Sequence, residues 1–237
     1  MNQFQHRNYS IIQRTSENVQ NYMTQVYGWM TVGLLLTSFV ALYALNNNNI
    51  VIYLGTHSAT LIALIIAEIA LVLGLSFLLP KLTASMATTM FMLYSSLTGL
   101  TISLVLVAYT GTSITSTFFI TATMFAAMSF YGYVTKRSLN GLGNFLFMAL
   151  IGITITSIVN IWLQQSTLTS IITYAGVLIF SGLTAYDTQK LRDLGQQIDS
   201  TSDQDQIRKH AIIGALTLYL DFINLFLMML RIVGDRR

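Results

Sequence analysis

Apolar residues dominate this chain in long blocks, each close to the ~20 residues that a helix rising 1.5 Å per residue needs to cross a bilayer. Seven blocks stand out, at 26–45, 60–79, 85–109, 115–134, 142–163, 168–190 and 211–233. The breaks between them carry turn chemistry: Asn46 to Asn49, Pro80, Thr110-Gly111, Asn140-Gly141 and Gln164-Gln165-Ser166. Links this short make consecutive helices antiparallel neighbours. The pattern predicts one membrane domain over 22–234, between a polar tail at 1–21 and a short end at 235–237. Small residues three or four apart inside the blocks, such as Ser95 and Gly99, predict helices that pack closely.

The last block carries a charge near its middle. Read as a helix, His210, Gly214, Thr217, Asp221 and Asn224 recur at steps of three and four and form one stripe, with Arg231 two turns further on. An ionised carboxylate facing lipid costs at least ~2.5 kcal/mol on insertion scales, so the stripe must face protein or water. The expected fold is therefore an all-α membrane protein of seven transmembrane helices, six of them surrounding a central C-terminal helix.

Composition sharpens the class. The 237 residues are 54% hydrophobic and 9% charged, against roughly 25% charged in soluble domains. No soluble catalytic domain fits in what remains, and no enzyme activity, tightly bound cofactor or nucleic-acid partner is expected. The lipid bilayer is the first expected partner. Cysteine is absent, which excludes disulfides, thiolate nucleophiles and cysteine metal sites. The tail holds Arg7 and Arg14 and no apolar run, so no separate cleavable signal is expected and the first span should direct insertion.

Charge placement sets an expected orientation. Beyond the tail, Lys81 lies in the second connection, Lys136 and Arg137 in the fourth, and Lys190, Arg192, Arg208 and Lys209 around the sixth, while the odd connections have none. The positive-inside rule then puts the N-terminus and the even connections in the cytosol. Seven spans put Arg236 and Arg237 outside, whereas a last segment that dips in and returns would keep every basic residue inside. The length of that segment, with no Gly or Pro at its centre, favours seven spans. The linker 191–209 is the one sizeable polar stretch between spans. Its Asp193, Asp199, Asp203 and Asp205 suggest a calcium loop, but the central Gly and final Glu of such a loop are missing, and a solvated linker is expected.

Inside the spans the ionisable residues are Glu68, Asp187 and Asp221, with Lys190 and Arg231 nearer the ends. Each is a candidate functional group because charge in hydrocarbon is expensive. If the sixth helix continues to Gly195, Asp187 lies ~12 Å from its end and Asp221 lies ~16 Å from His210, so the two can meet at similar depth. Two carboxylates within hydrogen-bond reach in a low dielectric share one proton and titrate as a pair. Such a pair is a proton sensor: losing the proton leaves two negative oxygens that repel each other or attract a cation. Ca²⁺ prefers oxygen ligands of this kind, which makes Asp187 and Asp221 candidate metal ligands as well. Equally, each Asp can be structural glue bonded to Thr184, Thr217 or Asn224. Glu68, among apolar neighbours in LIIAEIALVLGLS, is either a member of a cation path with Thr217 and Asn224 or the partner of a hydroxyl. Arg231 either pairs with an acid or snorkels to the interface.

Two segments, FSGLTAYDTQ at 180–189 and GALTLYLDFINLFLMMLRIVGDRR at 214–237, resemble the paired signature of the Bax inhibitor-1 family, the transmembrane Bax inhibitor motif proteins. YSSLTGLT at 94–101 and MFAAMSFYGYVTKRSLNGLG at 124–143 extend the resemblance over nearly every span, toward the bacterial inner-membrane branch of YbhL- and YccA-like proteins. The resemblance implies a seven-helix bundle around its last helix and a pH-sensitive Ca²⁺ leak channel, with the di-aspartyl sensor on Asp187 and Asp221. It also implies Ca²⁺ as the transported ion, H⁺ as regulator, and a bacterial inner-membrane location. For Arg231 it implies a latch to an acid, which cannot be placed on this sequence. Relatives can carry a basic residue in the second helix, where Glu68 is the only charge here, so a more acidic pore is expected.

Other classes compare as follows. The family also includes non-transporting modulators of membrane proteases or of stress and cell-death machinery. Such a role would use the tail or the 191–209 linker, with other membrane proteins as partners. A diaspartyl intramembrane protease fits poorly: Tyr186-Asp187 matches half of that signature, but Asp221 sits in Tyr-Leu-Asp-Phe and the only proline opens Pro80-Lys81-Leu82. A retinal protein would need a mid-span lysine, and there is none.

Overall fold

Turn residues stop the helices and the apolar blocks between them are helical. The computed structural model describes residues 3–198 and 203–236, with side chains from residue 17 onward. The side chains of Arg7 and Arg14, and residues Asp199 and Arg237, lie outside the described residues. The helices are α1 (Gln3–Asn46), α2 (Asn48–Thr56), α3 (Ser58–Leu78), α4 (Ala84–Leu106), α5 (Gly111–Val134), α6 (Asn140–Leu163), α7 (Ser166–Gln197) and α8 (Gln204–Val233). Pro80 sits in a 3-10 turn, Leu79–Lys81, where its missing N–H breaks no helical bond. Thr83 and Thr110 cap α4 and α5, their hydroxyls accepting from the N–H groups of Met86 at 3.2 Å and Ser113 at 3.3 Å.

Seven of these helices are long and apolar enough to cross a membrane. They are the seven that the hydrophobic blocks predict. The last one settles a choice left open by the sequence: α8 is a single unbroken helix of 30 residues, with no dip and return. It is also the most buried, with 61% of its most apolar window enclosed against 6% for α6. That contrast agrees with a polar stripe that faces protein or water rather than lipid.

Two features add to the sequence reading or differ from it. The helix α1 starts at Gln3, so the polar tail is helical and continuous with the first span. No Gly or Pro precedes Gly28, and nothing in the tail would stop a helix. The four asparagines at 46–49 predict a tight turn, yet a nine-residue helix, α2, follows at once. Its IVIYLG run is apolar and buries Leu54, which gives the backbone a reason to stay folded.

The chain forms two compact units, Met1–Val107 with Leu191–Leu216, and Ala108–Lys190 with Thr217–Arg237. In the first, α1 packs on α4 where the small residues predict close approach. Thr37 donates to the carbonyl of Ser95 at 2.8 Å, and a Cβ on Gly99 would lie 2.7 Å from the carbonyl oxygen of Thr37. Tyr22 donates to the carbonyl of His210 at 3.2 Å, and Gly214 lies against Leu191, Val26 and Tyr22. The upper part of the stripe on α8 is thus a packing surface.

The linker acids serve helix ends. Asp205 accepts from the N–H of Ala84 at 3.3 Å at the start of α4, where a carboxylate also complements the helix dipole. Asp203 accepts from the N–H of Asp205 at 3.2 Å, and Asp193 pairs with Arg192 at 2.7 Å. Asp203 and Asp205 therefore serve helix starts while Asp193 remains in a partly exposed ion pair, and none of the described acids is arranged as a calcium loop: among the described residues no group of three or more His, Cys, Asp or Glu gathers to hold a metal.

Candidate functional site

In the second unit, α7 is held on three sides around Asp187. Toward α5, a Cβ on Gly132 would overlap the carbonyl of Ala185, so only glycine lets these two backbones touch. The hydroxyls of Ser129 and Thr188 hydrogen-bond nearby at 2.9 Å. Toward α6, the ring of Tyr186 lies on the backbone of Gly143, where a Cβ would come within 2.5 Å of Cδ2. Toward the α5–α6 connection, Gln189 accepts from the N–H of Leu139 at 2.7 Å and donates to the carbonyl of Arg137 at 2.8 Å. With its neighbours tied down, Asp187 is left to face α8.

On α8, Phe222 packs edge-on against Phe118 and Phe125, with ring centroids 5.6 and 5.5 Å apart. That anchors the turn carrying Asp221. Asp221 is 5% exposed and Asp187 is half-buried. Their carboxyl groups lie within hydrogen-bond reach of each other. Two carboxyl oxygens can bond only through a proton, so a bond between them would need one of the two groups protonated. The Oδ2 atom of Asp221 is buried and has no hydrogen-bond partner among the described residues.

Two of the three groups that could serve as glue bond within their own helices. Thr184 donates to the carbonyl of Phe180 at 2.8 Å, and Asn224 donates to that of Leu220 at 2.8 Å, each within its own helix. The pair opens instead onto a cavity of about 630 Å³. Thr217, Asn224, Asn144, Tyr186 and Lys190 supply its other polar groups, and Phe147, Phe180 and Leu220 are among its apolar walls. The lower part of the stripe, Thr217, Asp221 and Asn224, is therefore a cavity wall. With only two carboxylates present, a divalent cation here would complete its shell with Thr and Asn oxygens and water.

The remaining sequence candidates are not among the residues that line this cavity. Glu68 belongs to the first unit, where Thr101 donates to its Oε1 at 2.6 Å, while every residue lining the cavity belongs to the second. Glu68 thus has the hydroxyl partner that one of its two readings requires. Arg231 is exposed and makes no salt bridge with a described residue, as a snorkelling side chain would. Sequence reasoning missed the contribution of α6. Its signal was the spacing of Asn144, Phe147, Leu150 and Thr154, steps of three and four that put them on one face.

Fold and site together define a polytopic helical membrane protein with two aspartates at the wall of a cavity of mixed polar and apolar lining. A sequence family described as inhibitor of apoptosis-promoting Bax1 matches residues 19–237, and the chain belongs to this Bax inhibitor-1 family. An Escherichia coli K12 protein named inner membrane protein YbhL is 59% identical over 231 residues, 98% of each chain. An uncharacterized protein of Borreliella burgdorferi is 40% identical over 216 residues, covering 91% of this chain and 92% of its own. An uncharacterized membrane protein of Streptococcus pyogenes serotype M1 is 35% identical over 227 residues, covering 94% and 96%.

Proposed function

We propose that this chain is a Ca²⁺ leak channel of the bacterial inner membrane, with a cytosolic N-terminus, in which the Asp187–Asp221 pair senses protons. The observation that carries the reading is the unpartnered Oδ2 of Asp221, buried beside a second carboxyl at the wall of a cavity. A buried acceptor without a donor is expensive in a membrane interior, and a cation, water or proton relieves it. The inner-membrane location rests on the name of the Escherichia coli relative, and the orientation rests on the basic even-numbered connections.

Protons and cations compete for the same oxygens. As pH falls the pair holds its shared proton more firmly and cation binding weakens; as pH rises the pair carries a second negative charge and binding strengthens. Thr217 and Asn224 line the same wall and supply neutral oxygens for a partly dehydrated ion.

The test is Ca²⁺ flux through the purified protein in liposomes, scanned from about pH 5 to about pH 8, because interacting carboxyl groups titrate as a pair and are read over a range rather than at one pH. Wild type should conduct with a pH dependence that Asp187→Asn and Asp221→Asn each remove. Flux no greater than that of empty liposomes at every pH would sink the channel reading. The function would then be that of a non-transporting modulator of other membrane proteins.

A further inference from the structure

The cavity holds one cation of its own. Lys190 lies three residues beyond Asp187 on α7, so both side chains share a helix face, and both line the cavity with Asp221. Its ammonium rests 6.0 Å from the centroid of the Tyr186 ring, and the backbone of Gly143 fixes that ring from below. Lys190 is exposed, so its stem is free to turn. The ionisable groups lining the cavity are Tyr186, Asp187, Lys190 and Asp221. Among them the ammonium is the only positive charge.

We propose that Lys190 is the selectivity residue of the cavity, a tethered ammonium that keeps monovalent cations from the aspartate pair and yields to divalent ones. The inference rests on the reading of this cavity as a cation site. A tethered group competes at a high effective concentration because its binding is intramolecular. A free Na⁺ or K⁺ brings the same charge as the ammonium and gains nothing electrostatically by displacing it. A divalent ion interacts twice as strongly with the same carboxylates at a given distance and dielectric, so it displaces the ammonium to its resting place over Tyr186. Lysine suits the role better than arginine would, because a compact ammonium on a flexible stem leaves without breaking a bidentate fork.

The test does not depend on flux. A hydrophobic carbodiimide labels protonated buried carboxyl groups, and a bound cation protects them. Labelling of Asp187 and Asp221 is followed by mass spectrometry on the purified full chain, with NaCl, KCl or CaCl₂ added at ionic strength held constant by choline chloride. Labelling of Glu68 in the same samples reports that the fold is intact.

In wild type Ca²⁺ should protect the pair and Na⁺ and K⁺ should not. In Lys190→Met, Na⁺ and K⁺ should protect at concentrations lower than in wild type by about tenfold or more, as expected for loss of a tethered competitor. Lys190→Gln serves as a second neutral replacement should the methionine variant misfold, and Lys190→Arg, which retains the charge, should exclude Na⁺ and K⁺. The same Na⁺ response in wild type and in the neutral variants overturns the proposal, as does a wild-type pair that Ca²⁺ leaves unprotected. Protection in the expected pattern without Ca²⁺ flux in liposomes would refute only the channel reading.

Discussion

The side chain of Gln189 accepts the backbone N–H of Leu139 at 2.7 Å, so a residue two positions beyond Asp187 sets the start of α6. Its amide nitrogen donates to the carbonyl of Arg137 at 2.8 Å, closing a clip across the α5–α6 connection. Gln189→Leu leaves both backbone groups without their partner. A buried group left unsatisfied costs ~1–3 kcal/mol, and this variant should unfold several degrees below wild type in a detergent thermal scan. Gln189→Glu keeps the acceptor for Leu139 and should lose less. Equal melting of all three proteins would show that the clip contributes nothing.

Asp221→Asn separates a functional pair from structural glue. Thr184 and Asn224 each donate within their own helix, and Oδ2 of Asp221 has no hydrogen-bond partner among the described residues, so the replacement leaves those bonds in place. Asparagine keeps the shape and can donate to Asp187 without a proton. Its melting temperature at neutral pH should match or exceed that of wild type. A fall beyond about 4 °C, the shift that ~1 kcal/mol produces in a domain of this size, would mean that Asp221 is structural after all.

The close approach of α5 and α7 rests on Gly132, where any Cβ would overlap the carbonyl of Ala185. Gly132→Val must push the helices apart, and overpacking of this kind costs ~1–3 kcal/mol or more. Because α7 carries Asp187, the displacement should also disturb the pair. The expected result is a lower melting temperature together with altered carbodiimide labelling of Asp187. A variant that melts and labels as wild type does would show that the two backbones can separate freely.

The hydrophobic blocks made the seven spanning helices legible, because a membrane leaves helices little choice of length. Asp187 and Asp221 were legible for the same reason: a charge in an apolar block has to be explained. Their meeting at one depth followed from counting residues at 1.5 Å per residue. What the chain hid is of another kind. Gln189 clips a connection through its side chain, and a single amide leaves no periodic signal. The helix α2 was masked by the four asparagines before it. Lys190 was visible as a charge near a span end, but its place in the cavity depends on α6, whose contributing face holds no ionisable residue to mark it.

Glu68 gives the last contrast. Its Oε1 accepts from Thr101 at 2.6 Å, and Thr101 also donates to the carbonyl of Leu97 at 3.3 Å, the distance of a secondary bond. Glu68→Gln keeps an acceptor for Thr101 and removes the charge. Loss of a charged acceptor in favour of a neutral one should change stability by about 1 kcal/mol or less, within the usual net worth of such a bond. Glu68→Leu removes the acceptor, but Thr101 can fall back on Leu97, so the added loss should be small. The same variants measured for Ca²⁺ flux separate the two readings of this residue. As a hydroxyl partner, Glu68 should tolerate the change to Gln with flux and pH dependence intact, since the aspartate pair is untouched. A several-fold fall in flux with unchanged melting would return Glu68 to the cation path.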